Sequence, residues 1–157
     1  GISHQYEAFL LEKAAELRER GFDDETATRW VKTYGRHTDR VVSLHDVNSS
    51  QERLHRDLLA ADVRFAVMHE QALTVCDVLE RRHSLFLFSH DQGRSAIEPV
   101  AHLMAEMLGW SNERMATEIA QANESIARRN RWMSEEELTR KEDHGKSSTD
   151  REPILLK

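Results

Sequence analysis

One cysteine, Cys76, is all the chain has. No disulfide can close within it and no cysteine-rich zinc site can form, so a reducing compartment is its natural setting. Proline and glycine are nearly as scarce, at 2 and 6 of 157 residues, and aromatics make up 6%. Without repeated turn chemistry, a multi-stranded sandwich or barrel is excluded. Long apolar runs are missing too. The stretch around His83 to His90 falls well short of the roughly 18 apolar residues a spanning helix needs. Nor is there an excess of positive charge. Twenty-two basic against 28 acidic residues leave a formal charge of −6, which opposes adhesion to nucleic acid or anionic lipid. The chain opens on Gly1 and shows no signal-peptide pattern, reading as a processed chain, a tag scar or an excised fragment.

What is abundant is Ala, Leu, Glu and Arg, all good helix formers. The expected fold class is all-α: a compact helical domain of about five to seven helices, packed like an orthogonal bundle, with no sheet. A first helix over residues 5–20 places Phe9, Leu10, Ala14 and Leu17 on one side and stops at Gly21. Asp23 and Asp24 supply capping oxygens for a second, over 25–34, closed by Gly35. A helical turn follows over 38–44, then a polar loop over 46–51. Residues 62–73, with Val63, Phe65, Ala66, Val67, Met68, Ala72 and Leu73, are apolar over much of a helix circumference and form the expected central helix. Thr74 and Asp77 have capping-box spacing ahead of a short helix to Arg82. The segment Ser84 to Ser89 looks like a strand, but a lone strand has no partner for its backbone, so a buried connector or helix end is expected. Ile97, Val100, Ala101, Met104 and Leu108 mark a helix starting between Asp91 and Ser95, with Pro99 in its opening turn or at a kink. Ser111 caps another, with a stripe of Met115, Ile119, Ala122 and Ile126. Residues 1–130 read as the helical domain. Residues 131–157 are a charged tail, 13 of 27 residues, that continues the helix and then becomes extended, because that composition cannot bury a core.

Catalytic signatures are absent at the level of spacing. His69-Glu70 begins like the zinc-protease helix motif, but Leu73 occupies the second ligand position. His83, His90, Asp91 and His102 flank one turn, and capping or surface roles account for them without a metal. The basic runs Arg81-Arg82 and 128–131 each have acidic neighbours, as salt-bridged surfaces do. Cys76, among Val75, Val78 and Leu79, reads as a buried structural thiol. There is no glycine-rich phosphate loop, nucleophile elbow or dinucleotide fingerprint. The informative polar set is Glu70, Thr74, Asp77, Arg81 and Arg82, in or beside the most apolar part of the chain. Burying charge there requires pairing. Glu70 with one of the arginines, or Asp77 with Arg81 across one turn, would form a buried network that fixes how the central helix meets its neighbour or its docking partner; the other reading is plain surface exposure of all four charged residues.

Asp62, Phe65, Glu70, Ala72, Thr74, Asp77, Leu79, Arg81, Arg82 and Leu85 occur at the spacing of the C-terminal helical domain of FAD-dependent glycerol-3-phosphate dehydrogenases and oxidases. The stretch resembles that family, with Tyr34-Gly35 upstream and Leu108-Gly109-Trp110 downstream continuing the likeness over roughly 27–130. Departures are Asp62 where Glu is usual, Phe65 where Tyr is common, and His83 where Thr is usual. The resemblance implies a parent that oxidises glycerol 3-phosphate to dihydroxyacetone phosphate, passing electrons to FAD and then to quinone, or to oxygen in the oxidases. It implies a cytoplasmic parent and leaves room for a peripheral place on the inner face of the membrane. FAD and substrate would be held by preceding domains, which would be this chain's partners. The chain itself is expected to hold no cofactor or metal, to bind no nucleic acid, to be inactive alone, and to self-associate when its docking surface is bare. The other reading is a free-standing helical interaction or regulatory module that uses the Met115 to Ile126 stripe.

Overall fold

A computed structural model of the chain describes residues 2–46 and 52–146. In order these form α1 (Ile2–Glu19), α2 (Asp24–Tyr34), a 3-10 turn (Gly35–His37), α3 (Thr38–Ser43), β1 (Arg53–His55), β2 (Leu58–Leu59), α4 (Ala60–Glu70), a π-helical segment (Asp77–Arg82), α5 (Leu85–Phe88), α6 (Arg94–Leu108) and α7 (Asn112–Lys146). The fold is helical, as the composition requires. One expectation fails: β1 and β2 form a small antiparallel ribbon, pairing Arg53 with Leu59 and His55 with Leu58 around an irregularity. Strands of three and two residues are too short to show alternation in sequence. The ribbon hands the chain directly into α4, where the Ala60 amide bonds the Glu52 carbonyl at 2.7 Å.

Local chemistry sets the helix ends. Gly21 (φ +94°) closes α1, and the Phe22 amide returns to the Leu17 carbonyl at 3.1 Å. Asp23 caps α2, its carboxylate accepting the Thr26 amide at 2.8 Å. The central helix starts and stops earlier than the apolar pattern suggests. Gln71 turns left-handed (φ +56°), the Ala72 amide bonds back to Ala66 at 3.0 Å, and the Ala72 methyl is buried. This closure resembles a Schellman cap. Leu73 therefore lies beyond the helix, and both Leu73 and Met68 face outward. Ser84 to Ser89 is a single helical turn, with Leu85 and Phe86 in the core but Leu87 and Phe88 exposed. Pro99 lies inside α6, past its opening turn. Ser111 caps α7, which passes position 130 without a break. Residues 47–51 of the expected loop and 147–157 of the tail lie outside the described residues.

Two apolar clusters fill the interior. One gathers α1, α2 and α3 around Trp30, Val31, Val41 and Leu17. The other packs Val75, Val78, Leu79, Leu85 and Phe86 against Ile97, Val100 and Met104 of α6 and Ala122 and Ile126 of α7. Helix α4 divides them, sending Ala61 and Phe65 into the first and Val63 and Ala66 into the second. The Met115 to Ile126 stripe is used up in this packing, since Ala122 and Ile126 are buried and Met115 and Ile119 pack against the same cluster. It is not a free surface for a partner.

Candidate functional site

Beside α4 the backbone is irregular for a short distance. The π-helical segment delivers Arg82, Ser84 follows in the left-handed region (φ +51°), and α5 begins at once. Such departures persist only where the surroundings enforce them, and they gather at functional sites. Here they border a groove of about 250 Å³. Arg29 and Thr33 of α2 form one wall, and Arg82 and His83 another. Phe88, the most exposed large apolar side chain described at 85%, stands over it beside Ser89.

The groove leans on a buried ion pair that the sequence pattern did not reveal. Asp62, fully buried in α4, accepts both Arg29 guanidinium nitrogens at 3.0 and 2.9 Å, the Trp30 indole at 2.8 Å, the Tyr34 hydroxyl at 2.7 Å and the Leu59 amide at 2.8 Å. Burial alone would raise the Asp62 pKa, but the Arg29 bonds and charge, with the Leu59 amide, outweigh it and hold the carboxyl below its ordinary range. The Tyr34 phenol is pushed far above its usual range by burial and by the Asp62 charge, so it stays a donor. The His83 imidazole is held below its ordinary pKa by burial, which outweighs the opposing pull of Asp62. One carboxylate thus ties α2 to the start of α4 and fixes the Arg29 side of the groove.

The five residues singled out from sequence fall into two clusters. Thr74 and Asp77 do form a reciprocal capping box, with the Asp77 amide on Thr74 Oγ1 at 3.0 Å and the Thr74 amide on Asp77 Oδ2 at 3.0 Å. Asp77 also holds Arg81 at 2.7 Å. Separately, Arg82 reaches the Glu70 carboxylate at 3.3 Å and its carbonyl at 2.7 Å. The burial expected of them is corrected: the Arg81 side chain is 72% exposed, and Glu70 and Arg82 are each about a third or more exposed. The cause is the early end of α4, which leaves Glu70 at a helix mouth. Only Arg82 lines the groove. Among the described residues the buried carboxylates are Glu52, Asp62 and Glu118. Glu52 is held by Arg64 and His45, and Glu118 by Arg114 and the Val75 amide. The one sequence signal for Asp62 is that it is the single carboxylate between Leu58 and Ala66, a mostly apolar stretch that it shares with Arg64. Cys76 is half-buried, and burial raises its thiol pKa with help from nearby carboxylates, so it is a poor nucleophile.

One constellation resembles hydrolytic machinery. Ser89 Oγ lies 3.3 Å from His55 Nε2, with Asp57 and Asp91 close by. The protons are on the wrong atoms for attack. The Asp57 amide donates to His55 Nδ1 at 3.1 Å, which places the ring proton of neutral imidazole on Nε2, facing Ser89. The Ser89 hydroxyl donates to Asp91 at 2.5 Å. The imidazole is therefore not placed to take its proton as a triad histidine does. Asp91 also accepts the Gly93 and Ser95 amides, so the cluster is a cap for α6. Among the described residues no group of three or more His, Cys, Asp or Glu could hold a metal ion. Gly21, Gly35 and Gly109 sit at helix ends, and at Gly93 a Cβ would already meet Leu85 at 3.1 Å.

Residues 3–115 match the C-terminal domain of alpha-glycerophosphate oxidase. Among characterised proteins, the chain is 32% identical over 98 residues to a probable mitochondrial glycerol-3-phosphate dehydrogenase of Dictyostelium discoideum, covering 61% of this chain and 15% of that one. It is 30% identical over 114 residues to the alpha-glycerophosphate oxidase of Streptococcus pneumoniae, covering 69% and 18%. It is 29% identical over 94 residues to a glycerol-3-phosphate dehydrogenase of Synechocystis, covering 58% and 17%. The chain therefore spans less than a fifth of the length of the relatives it matches. The match begins earlier and ends earlier than the 27–130 stretch of resemblance, taking in α1 but only the start of α7. On these matches the chain belongs to the family of alpha-glycerophosphate oxidase C-terminal domains.

Proposed function

We propose that this chain is the helical cap of an FAD-dependent glycerol-3-phosphate dehydrogenase or oxidase, a structural part that braces the flavin and substrate domains and turns nothing over alone. The reading rests on one observation above the others: the matched domain makes up less than a fifth of each relative. The groove supports it by what it offers, two arginines already paired with Asp62 and Glu70, a serine committed to Asp91, and a Phe ring held in solvent. The parent oxidises glycerol 3-phosphate to dihydroxyacetone phosphate through FAD, with quinone or oxygen as the final acceptor, on the cytoplasmic side of a membrane. On this reading FAD belongs to the preceding domains, where a glycine-rich turn would meet its pyrophosphate. No helix among the described residues is long and apolar enough to cross a membrane.

The test is to express the flavin-binding part encoded upstream with and without this chain and to follow glycerol-3-phosphate-dependent dye reduction and thermal stability. Restored activity or stability on mixing is expected. A flavin part that is fully active and no less stable without the chain, or a purified chain that carries a flavin absorbance band, refutes the proposal.

A further inference from the structure

We propose that the docking face of this cap is the continuous trough that runs along the outer side of α2 into the groove under Phe88, and that its occupant is the preceding flavin-and-substrate body of the same polypeptide. The inference rests on the cap reading above and names the surface that reading requires. Two adjoining depressions share Arg29 and Thr33. The first is a shallow one of about 550 Å³, lined by Asp24, Glu25, Thr28 and Lys32 of α2. The second is the deeper groove bounded by Arg82, His83 and Phe88. An open trough of this length suits a polypeptide segment rather than an enclosed small molecule.

The chemistry of the face is that of an interface centre. Phe88 and Leu87 are 85% and 60% exposed, although the same four-residue helix buries Leu85 and Phe86. A left-handed Ser84 and a π-helical approach fix that turn, so the two apolar side chains are held outward by the architecture. An aromatic anchor flanked by arginines is the composition that carries binding energy at interfaces. Both arginines are already neutralised, Arg29 by Asp62 and Arg82 by Glu70, so the face has no preference for a free anion and fits a mixed apolar and polar protein surface. The occupant follows from proportion: in the relatives more than four-fifths of the chain lies outside the matched stretch. Helix α1, through which preceding polypeptide would arrive, packs on α2.

Hydroxyl-radical footprinting of the isolated 157-residue chain, compared with the polypeptide from the complete reading frame, tests this. Core interface residues are packed to interior density, so Phe88 exposure should fall from 85% to about 10–15% and its labelling about six- to eightfold, with Leu87 following. Tyr6, Leu11, Met68 and Leu73, also exposed in this chain, serve as internal controls on other parts of the surface. In the full polypeptide, Phe88→Asp should release hydrogen-exchange protection over residues 24–33 and 82–89, while the melting temperature of the isolated chain stays unchanged. Protection confined to Tyr6, Leu11, Met68 or Leu73 overturns the assignment of the face and leaves the cap reading standing. Phe88 already protected in a dimer of the isolated chain assigns the groove to a second copy and overturns the proposal. A reading frame with no flavin-binding part overturns both.

Discussion

Asp62→Ala is the most damaging single change the structure predicts. The carboxylate is fully buried and accepts five hydrogen bonds, two of them from Arg29. Removing one partner of a buried ion pair costs about 3–5 kcal/mol. Arg29 retains some solvent contact, 23% of its side chain, and can recover part of its hydration. The Trp30 indole cannot, because Trp30 is wholly buried and its donor loses its acceptor, at about 1–3 kcal/mol. A net loss near 4 kcal/mol is expected, a large share of the roughly 5–15 kcal/mol that holds a domain together. Asp62→Asn should recover less than half, since its amide hydrogens would face Arg29. Tyr34→Phe should cost only about 1 kcal/mol, the typical net worth of one hydrogen bond. Urea denaturation with the slope held constant gives the comparison. The acid side supplies a second reading. The folded Asp62 pKa is depressed, so its contribution is complete above the unfolded value of about 3.9 and is lost as pH falls through the folded one. The Ala variant should show less of that acid loss. A cost under about 1 kcal/mol for Asp62→Ala would show that the node does not hold α2 to α4.

Three further changes probe other parts of the structure. Gly93→Ala places a side chain at φ +71° with its Cβ 3.1 Å from Leu85, and should lower stability by about 2 kcal/mol or more from the left-handed backbone and the overpacking together, read as a drop in melting temperature. Glu70→Ala removes a partly exposed pair and should cost less than about 1 kcal/mol in urea; a loss several times larger would mean that Glu70 and Arg82 act as a buried network after all. Because burial depresses the His83 pKa, the unfolded chain takes up its proton first as pH falls below about 6.5, and stability declines until the folded pKa is passed. Replacing His83 with Gln should flatten the fall in urea midpoint between about pH 7 and pH 5, and an unchanged slope would remove His83 from that account.

The helices were legible because their signals are local. Gly21, Gly35 and Gly109 end helices where their φ is positive, and Asp23, Thr74 and Ser111 cap where their spacing indicated. Pairing was also legible over one turn, as Asp77 with Arg81 shows. Depth was not. Whether Glu70 is inside or outside depends on where α4 stops, and that is decided by a left-handed Gln71 with no glycine to announce it. The Asp62 node joins residues about 30 positions apart, which no local periodicity records. The β1–β2 ribbon was too brief to leave a pattern, and the outward turn of Phe88 follows from Ser84 taking a conformation its residue type seldom adopts.

Helix α4 is a party wall between two rooms. Its alternate faces complete both apolar clusters, Ala61 and Phe65 on one side and Val63 and Ala66 on the other. Neither room can be demolished alone: trimming the chain to either half would strand one side of that wall in water. Damage near α2 should therefore be felt near α6, and the molecule should melt in one step, as a single unit of inheritance that a longer protein gains or loses whole.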